Sequence, residues 1–249
     1  MAHIYSNRFY DYIDAGARRS ANTIISHIRS WIEPSSVVDF GCGRGAWLAE
    51  WADAGCDDLV GVDGDYVDRN TLVIPGENFV GADLGKPVDL GRRFALAQSL
   101  EVGEHLPTEA SPVFVENLTR HSDLVLFSAA VPGQGGEYHV NEQTLSFWQD
   151  LFSTHGYTAY DCLRPLVSRD ARIEPWYRYN SVLYANGSGA ENLPPEVLET
   201  AVAPGALAET GSFSWSLRKS ILRRLPQKTV TSLAQARAAI LVQVLGGRK

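Results

Sequence analysis

Cysteine and long hydrophobic runs are scarce in this sequence of 249 residues. Its three cysteines, Cys42, Cys56 and Cys162, are an odd number, at spacings that fit neither a zinc ribbon nor the disulfide framework of a secreted domain. No stretch approaches the roughly 18 consecutive apolar residues of a membrane span, and charges and aromatics interrupt the N-terminal segment where a signal peptide needs an apolar run. These absences predict a soluble, cytoplasmic protein.

Basic residues are also in deficit, with 22 Lys and Arg against 29 Asp and Glu. The net charge of −7 argues against general nucleic-acid binding, because affinity for phosphate backbones depends on clustered Lys and Arg. From Gly211 onward, however, the chain has eight basic residues and no acidic one. Such a tail is predicted to dock on the acidic remainder of the chain, on a second subunit of a homodimer or on an anionic membrane surface, with docking on protein favoured.

Short apolar segments alternate with turns and helical stretches along most of the chain. Five of them predict strands, namely SSVVDF, DLVGVD, NFVGAD, FALAQS and DLVLFSA. Strands that alternate with helices predict an α/β fold with a doubly wound, mostly parallel sheet. Two later segments, TAYDCL and SVLYAN, predict a pair of antiparallel strands, and apolar spacings of three and four before the first strand predict one or two helices broken near Gly16.

The composition changes after Asn186, where Gly, Pro and Ala become frequent. This texture is typical of a linker or of a segment that lies along the surface. Beyond it, residues 213–225 and 230–245 predict two amphipathic helices. We therefore expect one domain over residues 1–186, and a linker with a basic helical extension over residues 187–249.

A glycine-rich turn, GCGRGA, follows the first predicted strand and contains Gly41, Gly43 and Gly45. Ligands of a doubly wound sheet bind at the carboxyl ends of its strands, where glycines let the backbone approach and the next helix offers free amides. The same letters also satisfy a dinucleotide fingerprint, so an NAD dehydrogenase stays open as a weaker alternative.

Three aspartates at successive strand ends favour another kind of cofactor. Asp39, just ahead of the glycines, suits a ligand that carries an ammonium group better than one that carries a pyrophosphate. Asp63 ends the second strand and can accept hydrogen bonds from both hydroxyls of a ribose. Asp83 ends the third strand, at the height where an adenine amino group would need an acceptor.

With these motifs the sequence resembles the class I methyltransferases that use S-adenosylmethionine. VVDFGCGRGAWL is similar to their first motif, GVDGDY to the ribose motif, GADL to the adenine motif and FALAQSLEVGEHLP to the fourth motif. The resemblance covers residues 35–186 and implies a Rossmann-like sheet of seven strands, one of them antiparallel. It implies cofactor contacts from Arg19, Ser20, Asp39, Gly41, Gly43, Gly45, Asp63, Gly64, Asp83, Leu84, Gln98 and Ser99.

Methyl transfer is an in-line displacement, for which the protein must position the acceptor and remove its proton. Glu101, Glu104 and His105 form an ExxEH pattern that one helical turn would bring to the same face. The pattern resembles the metal-assisted O-methyltransferases of ubiquinone biosynthesis and of small-RNA 2′-O-methylation. It implies Mg²⁺ or Mn²⁺ on these residues, with His139 completing the site from the loop after the fifth strand. Alternatively, the two carboxylates only favour a helix start beside His105 as a lone general base, or the pattern has no catalytic role.

The function expected from these residues is O-methylation of a hydroxyl on a small or medium polar acceptor, such as a sugar or a natural product in a biosynthetic reaction. His105, Glu104 and His139 are the predicted catalytic residues. Two alternatives stay open: N-methylation, and a cofactor-binding protein that uses the fold for a non-methyl reaction or for regulation.

Overall fold

The structure of the protein is a computed structural model that describes the backbone of residues 7–246 and the side chains of residues 14–236 and 240. Strands alternate with helices over most of this length. The strands are β1 (Ser36–Phe40), β2 (Asp58–Asp63), β3 (Phe79–Gly81), β4 (Leu96–Leu100), β5 (Leu124–Ser128), β6 (Thr158–Tyr160), β7 (Val182–Ala185) and β8 (Ala201–Val202). The helices are α1 (Asn7–Trp31), α2 (Ala46–Asp53), α3 (Ser111–His121), α4 (Leu145–Thr154), α5 (Arg164–Val167), α6 (Pro175–Asn180), α7 (Gly187–Ala190), α8 (Pro195–Leu198), α9 (Phe213–Leu222) and α10 (Gln227–Gly246).

The strands form one sheet in the order β3-β2-β1-β4-β5-β7-β6-β8. The first five strands are parallel, and β7 lies antiparallel between β5 and β6. Because β1 has β2 on one side and β4 on the other, the strand order reverses there, which is where such sheets bind ligands. The predicted doubly wound α/β fold and its late antiparallel pair are confirmed.

Helices cover both faces of the sheet, which explains why its central strands are continuously apolar. Every residue of β1, β4 and β5 is buried. One core cluster packs α1 and α2 against the sheet through residues such as Ile25 and Trp51. The other packs α3 and α4 through residues such as Phe114 and Trp148. The carboxyl edge of the sheet is therefore held between two packed layers.

The N-terminal helix is continuous through Gly16, where the sequence predicts a break. The glycine has a packing role instead: a Cβ at this position would lie 3.0 Å from Oε1 of Glu174. A small residue lets the segment before α6 approach α1, so the glycine marks a close contact between elements.

The sheet has eight strands, so the count of seven implied by the resemblance is one too low. The additional strand, β8, pairs antiparallel with β6 and comes from the segment predicted to be a linker. Leu193 and Val197 of the same segment belong to one core cluster, and Leu207 belongs to the other. The boundary expected near residue 186 thus falls inside the sheet, because apolar residues among the Gly and Pro are buried.

The described part of the basic tail lies on its own domain. Trp215 of α9 and Val230 of α10 are buried, and Lys219 and Arg223 both pair with Glu209, at 2.5 Å and 2.9 Å. None of the helices that the structure describes combines the length and the apolar character needed to cross a membrane.

Replacing Leu193 by Ala tests whether the segment after residue 186 is part of the cooperative core. Leu193 is buried, so its truncation should lower the free energy of unfolding by about 2–5 kcal/mol in denaturant titrations. Leu198→Ala is the matched control, because Leu198 is 38% exposed against 5% for Leu193, so its truncation should cost less. Equal, small effects of both substitutions would mean that the segment is a linker.

Candidate active site

The glycine-rich turn connects β1 to α2 at the point where the strand order reverses. Gly41, Gly43 and Gly45 all have left-handed backbone, with φ of 88°, 55° and 90°. Packing adds a second constraint at Gly41, since a Cβ there would lie 2.3 Å from a methyl group of Val102. Beside Gly43, in contrast, nothing lies within 4 Å of such a Cβ. Packing against Val102 therefore fixes the start of the turn, whereas the space beside its middle glycine is open.

Asp63, the last residue of β2, ties this turn to the neighbouring strand end. Its carboxylate accepts hydrogen bonds from the amide of Gly43 at 2.7 Å, the amide of Gly64 at 2.7 Å and the hydroxyl of Tyr66 at 2.6 Å. Asp63 is buried, and it also lines the cavity above the turn. The carboxylate that is predicted to bind the ribose is therefore held in one orientation at the cavity wall.

A cavity of about 750 Å³ opens over the carboxyl ends of β1, β2 and β4. Five of the predicted cofactor residues line it: Gly41, Asp63, Gly64, Asp83 and Leu84. Its wall also includes the acidic residues Asp65, Glu101 and Glu137, and no described lining residue is Lys or Arg. The wall is therefore negative, which favours a ligand with positive charge.

Asp39 lies beneath the cavity and is buried among core residues. Burial raises the pKa of its carboxyl from 3.8 to about 7, and the nearby charge of Asp63 acts in the same direction. Without a cation beside it, ionisation of the Asp39 carboxyl costs free energy, because the buried charge is poorly solvated.

Asp83 is in a different environment, exposed at the cavity rim. It forms an ion pair with Lys86 at 3.0 Å and accepts from the amide of Gly85 at 3.0 Å. The hydrogen bond from Lys86 lowers the pKa of Asp83, so this carboxylate stays ionised.

Two predicted cofactor residues of β4 form hydrogen bonds with other residues of the protein. The side-chain oxygen of Gln98 accepts from the indole of Trp51 at 2.8 Å, and the hydroxyl of Ser99 donates to the carbonyl of Phe40 at 2.6 Å. Both residues are fully buried, and neither belongs to the described cavity wall. The structure therefore places them under the turn, where they fix β4 against its neighbours.

Arg19 and Ser20 of α1 also lie outside the described cavity wall. Arg19 pairs with Glu174 at 3.4 Å, and the hydroxyl of Ser20 donates to the carbonyl of Gly16 while accepting from the amide of Glu174 at 2.9 Å. Another α1 residue, Asp14, approaches the glycine-rich turn, forming an ion pair with Arg44 at 3.1 Å. Arg44 is inside the turn motif, so α1 contacts the glycine-rich turn through Asp14.

Glu101 adopts left-handed backbone with φ of 60°, rare for a residue with a side chain. Its carboxylate accepts hydrogen bonds from the amides of Gln134 and Asn180. Burial raises the pKa of Glu101, and the hydrogen bond from Gln134 opposes that shift. The predicted helical turn is absent here, because the chain bends at Glu101 before a single 3-10 turn over Gly103–His105.

Glu104, His105 and His139 come together: one ligand atom from each lies within 4.8 Å of the other two. The rings of His105 and His139 meet edge to face, with centroids 5.0 Å apart. Glu101, the fourth predicted metal ligand, is outside this group of three. Oε2 of Glu104 is buried without a hydrogen-bond partner, and burial, followed by the charge of Glu101, raises the pKa of Glu104.

His105 is the member of this group that reaches the cavity wall. Its ring is exposed on one side, and the protein around the remainder, together with His139, lowers the pKa of His105 to about 4. The imidazole is therefore neutral at neutral pH, with a nitrogen lone pair available for a proton or a cation.

His139 is held by Glu142, which the sequence offers three residues later. Nδ1 of His139 lies 2.8 Å from Oε1 of Glu142, whose two oxygens also accept from the amides of Gly135 and Gly133, each at 2.7 Å. The hydrogen bond from His139 lowers the pKa of Glu142, against the effect of burial. Because an ionised carboxylate only accepts, Nδ1 carries the hydrogen and the lone pair is on Nε2.

Sequence reasoning missed two residues of this site, Gln134 and Asn180, which hold Glu101 and are joined to each other by a hydrogen bond of 2.7 Å. They are far apart in the chain and belong to no motif. The glycines after the fifth strand indicate a loop that could carry function. They do not indicate which side-chain amide bonds to which carboxylate.

Comparisons with known proteins agree with this geometry. A family model described as a methyltransferase domain matches residues 6–160. The chain belongs to the class I, S-adenosylmethionine-dependent methyltransferases. Among curated proteins, none matches this sequence.

Several solved structures are similar to this chain at low sequence identity. DesVI of Streptomyces venezuelae is 15% identical, with a TM-score of 0.53, over 74% of this chain and 99% of that one. The plantazolicin methyltransferase BpumL, solved with SAH, is 15% identical with a TM-score of 0.52, over 72% of this chain and 87% of that one. The sugar N-methyltransferase KedS8 from Streptoalloteichus is 12% identical with a TM-score of 0.49, over 75% of this chain and 97% of that one.

Asp39 gives this methyltransferase a pH-dependent stability. Its pKa is higher in the folded protein than the 3.8 of an ordinary Asp, so the folded state holds the proton more tightly and its stability falls as the pH rises from 3.8 to about 7. Asp39→Asn removes that loss. The unfolding free energy of the cofactor-free variant, relative to wild type, should therefore be higher at pH 8 than at pH 4. Asp57→Asn, at an exposed position, is the control; a pH-independent difference for Asp39→Asn contradicts the prediction.

Proposed function

We propose that this methyltransferase transfers the methyl group of S-adenosylmethionine to a hydroxyl of a small or medium polar acceptor, such as a sugar or a natural product. The observation that carries the proposal is the convergence of Glu104, His105 and His139 beside the cavity. A cavity of about 750 Å³ is in the size range of sites for cofactors and small molecules.

The cofactor is assigned to the turn side of the cavity. Asp63 accepts from the ribose hydroxyls, and Asp83 is at the rim for the adenine amino group. Asp39 is a buried carboxyl with a raised pKa, and the ammonium group of the methionine part would stabilise its ionised form, because a nearby cation lowers the pKa of a carboxyl. The negative cavity wall suits a sulfonium compound.

A hydroxyl acceptor explains why imidazoles and a carboxylate converge at the site. A hydroxyl oxygen is a weak nucleophile until it loses its proton, whereas a neutral amine is a good nucleophile without losing one. The imidazole of His105 lies at the cavity wall and has a nitrogen that can accept that proton. The arrangement therefore favours oxygen over nitrogen as the acceptor atom.

The three residues also fit a divalent cation. Glu104 offers an oxygen without a hydrogen-bond partner, and His139 offers Nε2 while Glu142 fixes its other nitrogen, as carboxylates do for metal-bound histidines. Glycine at position 136 is needed for this, because a Cβ there would lie 2.1 Å from Nε2 of His139. When bound, Mg²⁺ or Mn²⁺ would lower the pKa of an acceptor hydroxyl.

Asp63→Ala tests the cofactor assignment. Loss of a charge-assisted acceptor should weaken binding of S-adenosylmethionine by about 1–3 kcal/mol in titration calorimetry. Asp57→Ala is the control, since Asp57 is exposed and lies outside the described cavity wall. Unchanged affinity in a folded Asp63→Ala protein would remove the assignment.

Chelation tests the cation. Methyl transfer from labelled S-adenosylmethionine to a panel of sugars, amino sugars and phenols should stop in metal-stripped protein with excess EDTA and return with Mg²⁺ or Mn²⁺. Full transfer in EDTA would exclude the cation and leave His105 as the base. His105→Ala should abolish turnover by either route, while Glu109→Gln, at an exposed position nearby, should not. Methyl groups found only on nitrogen would contradict the proposal.

A further inference from the structure

The two C-terminal helices contact the loop that carries His139, here called the His139 loop and defined as residues 131–142. Three side chains of the tail donate hydrogen bonds to backbone carbonyls of this loop. Arg223 donates to Pro132 at 2.6 Å, and Gln227 donates to His139 at 2.7 Å. Arg218 donates to Gln134, which itself holds Glu101. The loop is thus bonded to the tail along most of its length.

Two glycines of the loop let these helices approach closely. A Cβ on Gly133 would lie 2.5 Å from the backbone carbonyl oxygen of Lys219, and a Cβ on Gly135 would lie 2.9 Å from side-chain atoms of Leu222 and Val230. The carbonyl oxygen of Lys219 belongs to the helix backbone and cannot move aside for a larger residue at position 133. The path of the loop is therefore matched to the tail.

The first turns of α10 hold two consecutive residues of the site. Nε2 of Gln227 donates to the carbonyl of His139, and Nε2 of Gln235 donates to the hydroxyl of Tyr138 at 3.1 Å. Tyr138 lines the cavity and has left-handed backbone with φ of 59°. Such a conformation in a residue with a side chain persists only where its surroundings enforce it.

On its other side, the same short segment is anchored to the ExxEH segment. The amides of Val140 and Asn141 both donate to the carbonyl of Glu104, at 2.8 Å and 3.1 Å. His139 is consequently held between two supports, the backbone of Glu104 on one side and α10 on the other. Removing one support should loosen the loop while leaving the glycine-rich turn in place.

We propose that Gln227 and Gln235 are positioning residues that hold His139 and Tyr138 on the acceptor side of the active site, so that the C-terminal helices are a working part of the site. The role of the two held residues in methyl transfer rests on the proposed function. The positioning itself does not, because it is measured without cation, cofactor or acceptor.

Amide hydrogen exchange of Val140 and Asn141 in the full chain tests the proposal. Gln227→Glu keeps the length of the side chain and loses its donor, so exchange at both amides should become about five-fold faster, the effect of losing one ordinary hydrogen bond. Gln227→Lys restores a donor and should restore slow exchange. Ser232→Ala is the control, because Ser232 bonds only within its own helix, to Lys228.

Amides of β5 and the binding of S-adenosylmethionine separate positioning from general stability. Both should be unchanged in Gln227→Glu, since β5 and the glycine-rich turn do not touch α10 through these bonds. The NMR signal of the His139 ring should shift in Gln227→Glu and, more strongly, in the double variant with Gln235→Ala. Unchanged exchange at Val140 and Asn141 in the double variant, or equal acceleration in β5, would overturn the proposal.

If chelation leaves methyl transfer intact, the proposed cation fails while these exchange results stand. If exchange is unaffected but transfer requires Mg²⁺, the positioning role fails while the proposed function stands.

Discussion

The carboxylate of Asp63 joins the two strand ends on which the proposed cofactor half of the site is built. It accepts two backbone amides and one hydroxyl, and one of those amides belongs to the middle glycine of the turn after β1. A buried carboxylate needs such donors, because its ionised form is otherwise poorly solvated. The turn in return gains a fixed path that left-handed glycines alone do not specify.

The same arrangement occurs a second time, on the proposed acceptor side. Glu142 accepts the amides of Gly133 and Gly135 and orients the ring of His139. In both halves a glycine segment, flexible by composition, is ordered around one carboxylate that also fixes a residue of the site. Glycine backbones lose much conformational entropy on folding, so such loops need several hydrogen bonds to remain in one conformation.

Sequence reasoning predicted the position of residues correctly where the local geometry of the sheet decides that position. Left-handed glycines after β1 and a carboxylate at the end of β2 are consequences of the parallel sheet, so the motif alone located Gly41 and Asp63 at the cavity. It failed where long-range packing decides. Gln98 is inside a motif, yet its orientation follows from Trp51 of α2, and β8 exists because a Gly-rich and Pro-rich segment contains apolar residues that the core accommodates. Nothing in the local sequence indicates that Gln98 contacts Trp51 or that β8 pairs with β6.

The bend at Glu101 shows why the acceptor half was harder to predict than the cofactor half. As a helical turn, the ExxEH pattern would present both carboxylates to one side, but left-handed backbone sends Glu101 towards Gln134 and Asn180. Glu104 and His105 then meet His139, from a loop whose path depends on elements before and after it in the chain. The proposed cofactor half rests on strand ends that the sheet fixes, whereas the proposed acceptor half depends on contacts between segments 84 to 97 residues apart in the chain, such as those from α9 and α10. Changes in the C-terminal helices are therefore expected to act on the loop that carries His139 and not on the glycine-rich turn, because the hydrogen bonds of these helices go to the loop, whereas Asp63 holds the turn.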